Sequence, residues 1–118
     1  MKVTYNEEQR FIVAEIVGLL DMEAVERGLV EMNTVMDRYK CHHVLYDLCQ
    51  VELALEVHEI YFVPKLLKEA GNMNVKRAVL FSTENEQDFA FFETVAGNQG
   101  LNVQIFAERK PALDWLLA

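Results

Sequence analysis

The feature that most constrains this chain is a hydrophobic period that switches back and forth along it. Short β-prone runs alternate with segments whose apolar residues recur every three or four positions. "KVTY" and "RFIVAEIVG" flank a polar "NEEQ" turn and predict a hairpin. "DMEAVERGLVEMNTVMDRYK" sets Met22, Val25, Leu29, Met32, Met36 and Tyr39 on one helical stripe, with Asp21 as its N-cap. Gly28 weakens that helix by about 1 kcal/mol relative to alanine without breaking its pattern. "HHVLYDLC" predicts a strand and "QVELAL" a looser link. "EVHEIYFVPKLLKEAG" predicts a helix that Pro64 kinks or restarts and Gly71 closes. "KRAVLFS" is the next strand, and "TENE" (Thr83 to Glu86) reads as a capping box for a helix through Phe89, Phe92 and Val95, ending near Gly97–Gly100. "NVQIFA" is a last strand and "PALDWLLA" a last helix, with Pro111 tolerated in its first turn.

The resulting order, β-β-α-β-α-β-α-β-α, predicts an α/β fold. Its sheet is five-stranded and mostly parallel, with an antiparallel N-terminal edge strand and four helices. The 118 residues suit a single domain spanning 1–118, since neither repeats nor Pro/Gly-rich linkers interrupt them. Both parities of "RFIVAEIVG" are mostly apolar, which predicts cover on both faces of that strand.

Charge excludes some partners. Eleven basic against 19 acidic residues leave a net charge of −8, and such a surface repels phosphate backbones and anionic lipid headgroups. Nucleic acid is therefore not an expected partner. Membrane insertion is not expected either, because no apolar run approaches the roughly 20 residues a spanning helix needs. The opening "MKVTYNEEQR" is charged almost at once, unlike a secretory signal, and two cysteines make no disulfide framework. These features predict a cytoplasmic protein with reduced thiols.

The densest cluster of reactive side chains is "RYKCHHVLYDLCQ", residues 38–50. On a strand, Cys41, His43, Asp47 and Cys49 share one parity and His42 takes the other. Cys41 and Cys49 stand eight positions apart, roughly 26 Å along a straight strand. They cannot share a zinc ion or a disulfide, and the remaining histidine, His58, falls on the next helix, towards the opposite end of the strand. No metal and no cofactor is expected. Cys49 has the acidic neighbours Asp47 and Glu52, which raise a thiol pKa, so it reads as a small hydrophobe rather than a nucleophile. Asp47, at the carboxyl end of its strand, either caps the following loop or contacts a partner or a ligand. The sequence contains no GxGxxG, no GxxxxGK[ST] and no GxSxG. No catalytic set assembles, and a non-enzymatic role is expected.

Aromatic residues leave another possibility open. Tyr61 and Phe62 fall on one helix and Phe89, Phe91 and Phe92 on another, more rings than one helical face can bury in a single core. They are core, or they line an apolar pocket for a small ligand such as a fatty acyl chain, or they form an association patch.

A strand ending in "LYDL", a second in "KRAVLFS" and a terminal "VQIFAERKPALDWLL" together resemble the SpoIIAA-like, STAS-related domains. The Ala-Leu-x-Trp-Leu pattern of their last helix is matched by Ala112, Leu113, Trp115 and Leu116. The resemblance covers roughly residues 10–117 and rests on packing motifs. It implies a regulatory module that binds other proteins, such as kinases or sigma-factor regulators, in a fold with kinship to lipid-carrying domains. Phosphorylated members carry Asp-Ser-Ser-Gly at the helix start after the Asp-ending strand, where this chain reads Leu55, Glu56, Val57, His58. No serine or threonine occurs from Cys49 to Asn74, so the phospho-switch does not carry over, and Glu56 at most imitates a permanent charge. The expected contact surface is Asp47–His58, for a protein partner or a second copy in a homodimer.

Overall fold

The structure, a computed structural model, describes residues 1–70 and 74–118. Its strands are β1 (Lys2–Asn6), β2 (Phe11–Leu20), β3 (His43–Leu53), β4 (Lys76–Phe81) and β5 (Asn102–Phe106). Its helices are α1 (Met22–Tyr39), α2 (Val57–Glu69), α3 (Glu86–Asn98) and α4 (Arg109–Leu116). The strands form one sheet in the order β1-β2-β3-β4-β5, with β1 antiparallel to β2 and every later pairing parallel. The expected α/β architecture is present, down to the antiparallel edge and the four helices.

Because strand order follows chain order, each right-handed crossover returns on the same side of the sheet. α1, α2 and α3 therefore cover one face, and α4 turns back to cover the other. Ile12, Ala14 and Val44 pack under α1, and Val51, Val79 and Phe81 pack with Phe89 of α3. Across the sheet, Phe11, Leu45, Ala78 and Leu80 meet Ala112 and Leu116 of α4. Trp115 holds this small helix in place: its ring lies 5.8 Å from that of Phe106, and Lys76 Nζ sits 4.6 Å from the ring centroid while donating to the Trp115 carbonyl at 2.6 Å.

Asp21 caps α1 as its sequence position predicts, its Oδ1 accepting from the Ala24 N–H at 2.9 Å. Other expectations change. β3 continues through "QVEL" to Leu53 instead of ending at Cys49. The register explains how: Glu15 pairs with Asp47 but Val17 pairs with Gln50, so β3 carries one extra residue, a β-bulge at Leu48–Cys49. The bulge reverses parity, and Val51 and Leu53 thereby join Tyr46 and Leu48 in the same cluster. Thr83 to Glu86 forms no capping box. Thr83–Asn85 is a turn of 3-10 helix, and neither Ser82 nor Asn85 makes a side-chain cap bond. Cover on both faces of β2 ends at its midpoint, since the eight-residue α4 cannot reach Val17 and Leu19, which stay exposed. Pro64 lies inside α2, where its ring is fully buried. Gly71, expected to close α2, lies outside the described residues.

Candidate functional site

Three groups of candidate residues emerge, in different places. Asp47 follows Leu45 on the α4 face, beside Glu15 in the neighbouring strand and with Lys2 in register beyond it. Its Oδ1 accepts the Cys49 N–H at 3.2 Å, a local bond that stabilises the bulge. Cys49 is exposed, yet partial desolvation, then the hydrogen bond and negative charge of Asp47, push its thiol up to about 11. At neutral pH that thiol is protonated and a poor nucleophile. Cys41 is buried, its Sγ lying 3.3 Å from the Arg10 carbonyl oxygen it donates to. Among the described residues no group of three His, Cys, Asp or Glu side chains could hold a metal ion.

The second group surrounds the first turn of α2. Glu56 takes the N-cap position, and the Glu59 carboxylate reaches back to the Glu56 N–H at 2.9 Å, as in a capping box. The sequence pattern Glu-x-x-Glu was the available signal for this cap. His58 turns to Glu56 at 3.5 Å rather than to Asp47 or Cys49. Val57, Tyr61 and Phe91 are 65%, 59% and 36% exposed, and with Leu55, Glu56 and His58 they line a shallow surface groove. Phe62 is also exposed. Helix N-termini favour acids, and α2 and α3 both begin at this end of the sheet, so Glu52, Glu56, Glu59, Glu84, Glu86 and Asp88 gather around it.

The third group is internal. Phe89 and Phe92 face inward, and Phe89 stacks on Phe81 with centroids 5.8 Å apart. Both line a cavity of about 140 Å³ between the sheet and the three helices that cover it. α1 contributes Val25, Gly28 and Leu29 to its wall, α2 contributes Ile60 and Val63, and β3 contributes Tyr46 and Leu48. Arg77, only 2% exposed, is the one buried charged residue among the described residues and lines the same cavity. Burial raises the Tyr46 hydroxyl pKa, and the charge and hydrogen bond of Arg77 partly offset that rise. Arg77, Tyr46 and Gly28 did not figure among the sequence candidates. The available signal was a cation sharing the parity of Val79 and Phe81 in an otherwise apolar strand.

An architecture with β1 antiparallel to β2, a parallel remainder and three helices on one face has solved counterparts. An uncharacterised DUF3478-family protein from Shewanella loihica PV-4, described as having a SpoIIAA-like fold, superposes with a TM-score of 0.64 at 21% identity, covering 98% of this chain and 90% of that one. The fold is SpoIIAA-like. The anti-sigma factor antagonist SpoIIAA in its unphosphorylated form superposes with a TM-score of 0.58 at 16% identity, covering 97% of this chain and 94% of its own. No family model matches the sequence, and no curated protein matches it. In this SpoIIAA-like fold the strand order never reverses, so it lacks the switch-point crevice where doubly wound sheets hold ligands. Among the described residues no helix is long and apolar enough to cross a membrane.

Proposed function

We propose that this chain is a non-enzymatic regulatory module of the SpoIIAA-like, STAS-related type that works by binding another protein. The observation that carries the reading is the groove at the start of α2, where Val57, Tyr61 and Phe91 stay exposed beside Glu56 and His58. Large apolar side chains gathered at one exposed place mark contact surfaces. A tyrosine with its ring in the open supplies the amphipathic contact that interfaces favour. Glu56 stands where phosphorylated relatives carry their motif. The segment from Cys49 to Asn74 has no serine or threonine, so the surface is a permanently acidic one rather than a phosphate-switched one.

The test is capture from the extract of the source cells on immobilised protein, run in parallel with Tyr61→Asp. A specific partner held by the native protein and lost from the folded variant supports the reading. Equal capture by both, or none by either, removes this surface from the argument. Sedimentation velocity on the same pair decides whether the partner is a second copy, since a native dimer that the variant dissolves makes the module a homodimer through this groove.

A further inference from the structure

The cavity between sheet and helices differs from the groove in kind: it is deeper, half open to the surface beside Met1, and almost wholly apolar. Its volume, about 140 Å³, is close to the roughly 150 Å³ of an apolar cavity that stays dry and takes up benzene. It falls short of the roughly 300 Å³ at which sites for larger ligands begin, so a long acyl chain does not fit without moving a helix.

Two features give the cavity a chemical character. Arg77 lies at the amino end of β4 on the helix-covered face, where it shares the cavity wall with Tyr46. A guanidinium presents five donors in a planar fork that matches a carboxylate, and a low-dielectric setting strengthens that match. Asp88, in the first turn of α3, also lines the cavity but beyond the carboxyl end of β4. The four residues from Arg77 to Phe81 separate the two ends by roughly 13 Å. An acid group is therefore drawn to the Arg77 end and repelled from the other.

Gly28 is the second feature. A glycine inside a long exposed-to-core helix costs about 1 kcal/mol relative to alanine. A Cβ built on Gly28 meets nothing within 4 Å, so no steric contact requires the glycine, and its backbone forms part of the cavity wall. The missing side chain is space that the cavity retains.

We propose that this cavity binds a small apolar monocarboxylic acid of about benzoate size, its carboxylate on Arg77 and Tyr46 and its apolar body against Leu29, Val63 and Phe92. The site is separate from the surface groove, and its occupancy does not depend on the groove's having a partner.

The experiment titrates the native chain, followed by amide NMR shifts and calorimetry, with benzoate, toluene and benzylamine, three ligands sharing one ring. Benzoate should bind about tenfold or more tighter than toluene, the margin expected for a charge-assisted hydrogen bond, and benzylamine should bind weakest. Gly28→Leu fills the cavity from a better helix-forming residue and should abolish benzoate binding while keeping the native circular dichroism. Arg77→Met keeps the volume, removes the charge, and should erase the preference for benzoate over toluene. Toluene binding as tightly as benzoate, a preference for benzylamine, or no binding of any probe overturns the proposal. So does benzoate binding that survives Gly28→Leu, because the acid then sits elsewhere. If Arg77→Met does not fold, the ranking of the three ligands together with Gly28→Leu still decides the matter.

Discussion

Asp47 and Cys49 show how one bond assigns a role to a residue whose sequence context allowed several. The aspartate spends a carboxylate oxygen on the Cys49 N–H, 3.2 Å away, so its first task is to hold the β3 bulge. It also adds to the rise in the adjacent thiol's pKa. With the thiol raised from 9.0 to about 11, the thiolate at pH 8 is roughly a hundredfold scarcer than for an ordinary cysteine. We expect iodoacetamide to modify Cys49 slowly at pH 8 and the rate to climb until about pH 11. Asp47→Asn removes the negative charge, keeps an acceptor oxygen and leaves desolvation, the largest cause, so the midpoint should move down but stay above 9.0. A native midpoint near 9, read by mass spectrometry of the alkylated chain, would contradict this account. The acidic neighbours of Cys49 were legible in the sequence and already gave the direction of this effect. The bulge was not legible, because an extra residue in a strand leaves no composition signal and is fixed only by what the neighbouring strand offers. The parity argument over residues 41–49 therefore holds only from His43 to Asp47: Cys41 precedes the strand and packs with Val44 under α1, on the other face, and the bulge displaces Cys49.

At the scale of elements, the period of three or four read α1, α2 and α3 correctly, and Asp21 was legible as a cap because its side chain needs only local backbone. The start of α3 departs from its sequence pattern for a related reason. Thr83 and Glu86 have the residue types of a capping box, but the chain makes a 3-10 turn there before the helix begins, so the two backbones never reach capping geometry. Long-range capping was invisible in the sequence. β5 ends the sheet as a parallel edge, and unpaired N–H groups on such an edge invite other strands. Glu93 of α3 covers one of them, its Oε2 accepting from the Ile105 N–H at 2.7 Å. Glu93→Ala should destabilise the protein by about 1–3 kcal/mol, the cost of stranding a half-buried donor that had a charged acceptor. Glu93→Gln keeps an acceptor and should lose about half of that or less. Urea unfolding of the three proteins measures the difference. If alanine and glutamine cost the same, the bond is not what Glu93 contributes.

Across the whole molecule, the two faces of the sheet are packed to different standards, and this follows from topology. Strand order equal to chain order places three helices on one face and leaves the other to α4. Three helices from separate crossovers must fit one another as well as the sheet, and their meeting place is the cavity bounded by Gly28, Leu29, Val63 and Phe92. α4 has only the sheet to satisfy, and there Ala112 and Leu116 are completely buried. The sequence revealed how many helices there were, but not which face would keep spare volume, because that depends on side chains far apart in the chain. The asymmetry predicts opposite responses to substitution. Leu116→Ala on the tight face should cost about 3–5 kcal/mol, the transfer loss plus a cavity that eight residues of helix cannot collapse to fill. Gly28→Ala on the loose face adds a methyl where nothing lies within 4 Å and removes backbone freedom from the unfolded chain. It should stabilise by about 0.5–1 kcal/mol. Both are read from guanidinium unfolding at constant slope, so that a change of midpoint is a change of stability. Should Gly28→Ala destabilise the protein, the space beside Gly28 is filled in solution, and the cavity together with the acid-binding site argued from it disappears.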